Sequence, residues 1–189
     1  MLEGRRFLKS IQRPDGSWYG SWGVCFTYGK FAVEGLIASG EKSDSPAIVK
    51  AVDFMVSRQN ANGGWGESYL ASVNKAYPET GVQSLVDETP ALGDGGSGIV
   101  HTGWAMLTLI ASGQWEDRED VRRALFRGAA FLRKRQLPNG DWAQEGITGV
   151  FNRSTGITYT AYRNVWPIWA LGKYAMIVEK GFGVEDFDS

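Results

Sequence analysis

The stretch "RQLPNGDW", residues 135–142, ends what reads as a helix, and the chain holds two more of its kind: "RQNANGGW" at 58–65 and "IQRPDGSW" at 11–18. Extended upstream they become "RGAAFLRKRQLPNGDW", "KAVDFMVSRQNANGGW" and "GRRFLKSIQRPDGSW". Phe7, Phe54 and Phe131 each stand five residues before Gln12, Gln59 and Gln136, and those glutamines stand six before Trp18, Trp65 and Trp142. Leu8, Met55 and Leu132 follow the three phenylalanines, and Gly16, Gly63 and Gly140 lie two before the tryptophans. A repeat with four matched columns decides the architecture before any other feature is weighed.

Each copy reads as a helix end. In "EDVRRALFRGAAFLRKRQ" the apolar Val121, Leu125, Ala129 and Leu132 recur at three- and four-residue steps, and the basic last turn suits the helix dipole. Pro138 and Gly140 then stop the helix and turn the chain. The tryptophan returns to cover the helix end, where the glutamine amide can bond free backbone groups. Between the copies lie apolar helical stretches at 26–40, 101–113 and 160–179, with small and apolar residues on nearly every face. Amphipathic helices alternating with apolar ones predict two layers, polar helices outside and apolar helices inside. No stretch carries a convincing strand signal, so the predicted class is all-α. Residues 77–98 read as a turn-rich, acidic loop insertion and 181–189 as a loop-like tail.

The bulk numbers agree with an ordinary folded domain. Of 189 residues, 43% are hydrophobic and 22% charged, enough to build a core. A net charge of -1 gives no reason to expect nucleic acid as a partner. Cys25 is the one cysteine, which excludes an intrachain disulfide. "MLEGRRFLKS" lacks the apolar core of a secretory signal, and no apolar run approaches bilayer length. The 8 tryptophans and 25 glycines are the unusual entries.

The Phe-Leu, Gln, Gly-x-Trp pattern resembles the QW motif of the squalene and oxidosqualene cyclases. "GSWGVCFTYG" from Gly20, "RQNANGGWGESY", "RQLPNGDWAQEGITGVFN" and "YTAYRNVWPIWALG" resemble the C-terminal portion of the same family, over nearly the whole chain apart from the acidic loop and the tail. The resemblance implies an (α/α) barrel, or toroid, of outer and inner helices, with residues 1–189 forming only part of it. Phe7 follows Met1 so closely that its helix would lack its first turns, so the chain is expected to be the last quarter of a longer protein.

What the family does is cyclise a linear triterpene: an Asp protonates it, carbocations form the rings, and a deprotonation ends the reaction. By resemblance the substrate is oxidosqualene or squalene, no cofactor is used, and the protein is intracellular, at the periphery of the endoplasmic reticulum membrane or of lipid droplets. The family's acid motif has no match in "DRED" (117–120), "VDE" (86–88) or "EDFDS" (185–189), which read as solvated charges. The isolated chain is therefore expected to be inactive without the missing upstream section of the cyclase. The alternative is a truncated, non-catalytic helical module that at most binds an apolar lipid. Exposed inner helices would make either form sticky, oligomeric or membrane-associated.

Resemblance also marks residues. Trp22 in "GSWG" and Phe151 in "GVFN" are expected to stabilise cations, and Tyr28, Tyr159 and Tyr162 to line the cavity, the last two from one helical face. Thr155 falls where the family varies and is expected to tune the product. Trp166 replaces a smaller aromatic, and the 77–98 loop is long for the family. Gln12, Trp18, Gln59, Trp65, Gln136 and Trp142 are read as structural repeat residues. Cys25 and His101 are too few ligands for zinc, and His101 is read as a satisfied cap or core residue.

Overall fold

The computed structural model describes residues 2–77, 96–152 and 154–182. The bulk of the predicted loop and tail, with the acidic stretches at 86–88 and 185–189, lies outside them. Helices α1 (Leu2–Ser10), α2 (Lys30–Ala38), α3 (Pro46–Ser57), α4 (Leu70–Asn74), α5 (Ile99–Ser112), α6 (Glu119–Lys134) and α7 (Tyr162–Ile177) make up half of the described residues. Three of them, α1, α3 and α6, end in the repeat and form the outer layer. The apolar α2, α5 and α7 form the inner one.

The expected periodicity is realised in α6, where Val121, Leu125, Ala129 and Leu132 are all buried. Glu119 and Asp120 open this helix and Arg133 and Lys134 close it, each charge at the dipole end that favours it. At the centre lies α5, buried on nearly every face and packed against α2, α3, α6 and α7. Gly128 of α6 permits that closeness, since an added Cβ would lie 3.0 Å from both Met106 and the Trp65 ring.

The repeat acts as a clasp. Trp18, Trp65 and Trp142 donate their indole N–H to the carbonyls of Leu8, Met55 and Leu132, at 2.8, 2.7 and 2.9 Å. Those carbonyls stand in the last helical turn, where intrahelical donors run out, and Met55 accepts the Arg58 amide at 3.2 Å as well. Gly16, Gly63 and Gly140 all adopt φ between +86 and +90°, where a side chain is strained, and each closes the turn by an N–H bond three residues back. Asp15, Asn62 and Asn139 brace the turn by accepting the amide two residues on. Gln12 and Gln59 then reach forward. Each donates to its own glycine carbonyl and to the next outer helix, at Ala47 and Ala124, both at 2.8 Å.

The all-α architecture holds, with one small addition: β1 (Gly149–Phe151) and β2 (Thr155–Ile157) form an antiparallel hairpin. Strands of three residues, one of glycine, valine and phenylalanine, have no periodicity to read. The inner helices are not equally covered. Of α7 only Trp166, Pro167, Ala170 and Ile177 are buried, whereas Val165, Ile168, Trp169 and Met176 are exposed. At the C-terminal end of α7, Phe182 meets the Trp115 ring edge-on at 5.0 Å.

Candidate active-site wall

The hairpin sets the site. Gly23 bridges Gly149, and the Val150 amide donates to the Trp22 carbonyl at 3.0 Å, so Trp22 is fixed beside β1. The Trp22 and Phe151 rings lie 5.4 Å apart, tilted by 44°. Thr155 pairs with Phe151 across the hairpin and is exposed beside it. Glycine is required on both sides of this junction. A Cβ on Gly23 would collide with the Tyr28 ring, and one on Gly149 with the Tyr159 ring.

Tyr159 and Tyr162 stack at 4.5 Å with an interplanar angle of 24°. Their pairing does not come from a shared helical face, as the spacing suggests: Tyr159 precedes α7, which begins at Tyr162. Tyr28, at the turn into α2, meets the Trp104 ring at 5.1 Å, and Trp104 meets Tyr162 at 6.0 Å. All six expected wall residues therefore stand in one neighbourhood. Trp22 and Phe151 are 58% and 43% exposed, so their faces look onto open space rather than into the core.

The ladder continues through rings that the sequence did not single out as site residues. Trp104 meets Trp166 at 5.8 Å, Trp166 stacks on Trp169 at 5.6 Å, and Phe31 meets both Tyr28 and Trp166 edge-on. Lys30 sits among them. Its side chain is 0% exposed, with Nζ 4.1, 4.6 and 5.0 Å from the centroids of Phe31, Trp169 and Trp166, and 3.0 Å from the Glu34 carboxylate. Burial holds the ammonium below the usual lysine range, and Glu34 opposes that shift. Three ring faces and one carboxylate make this a cation cage already occupied by the chain's own charge.

Two buried carboxylates hold the wall's backbone. Glu67 accepts the amides of Cys25 and Phe26, both at 2.9 Å, and of Thr27 at 2.5 Å, so it fixes the loop between Trp22 and Tyr28. Glu145 accepts the amide of Ile99 at 2.7 Å and so caps the start of α5, with the Arg135 guanidinium 3.7 Å away. The available signal is position: each glutamate follows a repeat tryptophan by two or three residues.

Burial pushes the Glu145 carboxyl up to about 7, against the pull of the Ile99 amide and Arg135. The folded state thus keeps its proton while the unfolded chain, with an ordinary carboxyl, has lost it. Stability is greatest below the ordinary carboxylate value and falls as pH rises from there to about 7. Thermal melts across pH 4 to 8 should show that fall, of order 3 kcal/mol. Glu145→Gln should flatten it, and an identical slope in the variant would remove Glu145 as its source.

The remaining candidates are structural. His101 is buried in α5, edge-on to Trp104 at 5.5 Å, and burial lowers its basicity. It is a core residue, and its ring faces the Val24 backbone. Cys25 is buried, its thiol pushed up to about 12 by burial and 2.9 Å from the Ser72 hydroxyl. Among the described residues no three His, Cys, Asp or Glu side chains gather as metal ligands. In "DRED", Asp120 pairs with Arg118 and Glu119 with Arg123 at 2.6 Å each.

Comparison with known proteins gives a consistent result. Residues 1–176 match the squalene-hopene cyclase C-terminal domain. The chain is similar to the cycloartenol synthase of Dictyostelium discoideum, 49% identical over 181 residues that cover 95% of this chain and 23% of that protein. To the lanosterol synthase of Homo sapiens it is 42% identical over 182 residues, 94% of this chain and 22% of that one. The chain thus spans just under a quarter of the length of these relatives. Among solved structures, the type II terpene cyclase MstE from Scytonema superposes with a TM-score of 0.56 at 22% identity, over 79% of this chain and 36% of that chain, a likeness of fold.

Proposed function

The chain belongs to the squalene-hopene cyclase C-terminal domain family, and we propose that it supplies the aromatic wall of a cavity in which oxidosqualene, or squalene, is cyclised through carbocations. The observation that carries this reading is the grouping of Trp22, Phe151, Tyr28, Tyr159 and Tyr162 around the Gly23–Gly149 junction, with two ring faces open. A cation in a dry cavity needs negative potential without a nucleophile. Ring faces provide it, at roughly 2 kcal/mol or more once water is excluded.

In this reading Trp22 and Phe151 stabilise the cation directly, while Tyr28, Tyr159, Tyr162 and Thr155 shape the space around it. Lys30 fills the other end of the ladder with a fixed positive charge. Like charge disfavours a cation at Phe31 and Trp169, which leaves the Trp22–Phe151 end as the place where positive charge can rest. The acid that starts the reaction is assigned to polypeptide outside these residues, because the acidic run at 117–120 is engaged in surface ion pairs. Such a protein would act inside the cell, at the edge of the membrane or lipid droplet that stores so apolar a substrate. Among the described residues no helix is long and apolar enough to cross a membrane.

The test replaces the matching quarter of the Dictyostelium discoideum cycloartenol synthase by this chain and incubates the hybrid with oxidosqualene. Mass spectrometry should find cyclic products from the hybrid and none from the chain alone. Phe151→Ala in the hybrid should still consume substrate but release products of earlier termination. An unchanged product spectrum removes Phe151 from the wall. Cyclic product from the chain alone would mean that it holds its own acid.

A further inference from the structure

The aromatic ladder holds rings of two kinds. Trp22 and Phe151 pair with each other and look onto open space. Phe31 and Trp169 are also open, at 44% and 41% exposed, but each has the Lys30 ammonium against it, with Nζ 4.1 and 4.6 Å from the ring centroids. The Lys30 side chain is 0% exposed and that of its partner Glu34 28%, so water screens the carboxylate and leaves the field of the ammonium on the rings. A ring so placed has little attraction left for a second cation. Its apolar surface is untouched.

The helix α7 enlarges that surface. Val165, one turn before Trp169, and Ile168 are exposed on the same helix. Phe31 meets Tyr28 edge-on at 5.0 Å, so the patch runs into the wall without a break. An open apolar patch of this kind marks a binding surface, and the charge beneath it selects the ligand. We propose that Phe31, Val165, Ile168 and Trp169 form a subsite for the neutral hydrocarbon chain of the substrate, and that Lys30 closes this subsite to cations. Lys30 touches no substrate and acts through the rings. On the cyclase reading, which this subsite presupposes, one end of the ladder grips the polyene before it is ionised. The other end holds the charge that follows.

The first measurement uses the full chain and two ligands with the same tail, geraniol and geranyltrimethylammonium. It reads the indole N–H signal of Trp169 by NMR, assigned with Trp169→Phe. Geraniol should move that signal at about a tenth of the concentration that the ammonium requires. Lys30→Met combined with Glu34→Gln removes both charges together and should erase or reverse the preference. Lys30→Arg keeps the charge and should retain it. The proposal is overturned by a wild-type signal that the ammonium moves as readily as geraniol, by one that neither ligand moves, or by an unchanged preference in the neutral double variant.

The second measurement uses the hybrid cyclase. Phe31→Ala should raise KM for oxidosqualene about tenfold and leave kcat and the product spectrum alone, the mark of binding shared equally by substrate and transition state. An altered product spectrum with KM unchanged would put Phe31 in the path of the cation and overturn the assignment. A hybrid that forms no product refutes the cyclase reading, while the titration still decides the charge preference of the subsite.

Discussion

Trp65→Ala is expected to cost about 3–5 kcal/mol of folding stability, which for a domain of this size lowers the melting temperature by roughly 10 °C. Trp65 is 0% exposed, and its indole N–H is the partner of the Met55 carbonyl. Its ring presses on Gly128 of the next outer helix, and its backbone carbonyl accepts the Gly98 amide at the entry to α5. The substitution therefore opens a cavity where α3, α5 and α6 meet and leaves the Met55 carbonyl with only the Arg58 amide, at 3.2 Å, as its donor. Trp142 is equally buried and makes the same indole bond, but its clasp has no described helix behind it. Trp142→Ala should cost less, because surroundings that can collapse recover part of the loss. Urea titrations of both variants provide the comparison, and equal losses would show that the clasps are not coupled to the next helix.

Glu67→Leu is the second large change. It removes the acceptor of three buried amides at once, those of Cys25, Phe26 and Thr27. Each buried amide left unpaired costs about 1–3 kcal/mol, so the sum rivals the loss of a core tryptophan. The damage is local to the loop that carries Trp22 and Tyr28. Hydrogen exchange should therefore rise sharply at residues 25–27 and only slightly at α6. Glu67→Gln, which keeps one acceptor oxygen, should fall between wild type and the leucine variant. Unchanged exchange at the three amides would mean that the loop is held by its apolar packing alone.

The repeat was legible because it is a covalent-scale pattern: Phe, Gln, Gly and Trp at fixed offsets report helix end, tie, turn and staple in that order. The layers were legible from α6, whose two faces differ, and from α5, which has no polar face. The hairpin was not, because three-residue strands carry no alternation and the glycines of its junction, Gly23 and Gly149, are set by contacts with the Tyr28 and Tyr159 rings that exist only in the folded chain. The rest of the aromatic ladder was hidden for the opposite reason. On an apolar helix such as α7, Trp166 and Trp169 look like any core residue, and their relation to Lys30 exists only once α2 lies alongside. Glu67 and Glu145 were passed over as ordinary charges, although their place just after a repeat tryptophan ties them to the start of an inner helix.

The direction of the glutamine ties has a consequence for how the chain is made. Each tie points forward, from Gln12 to Ala47 across 35 residues and from Gln59 to Ala124 across 65. A nascent chain leaving the ribosome can staple each tryptophan back onto its own helix at once, since that bond spans only 10 residues. The forward bond must wait until the following helix has been synthesised. The first two repeats thus emerge half finished and each is locked by its successor, so the order of synthesis is also the order in which the outer helices become tied.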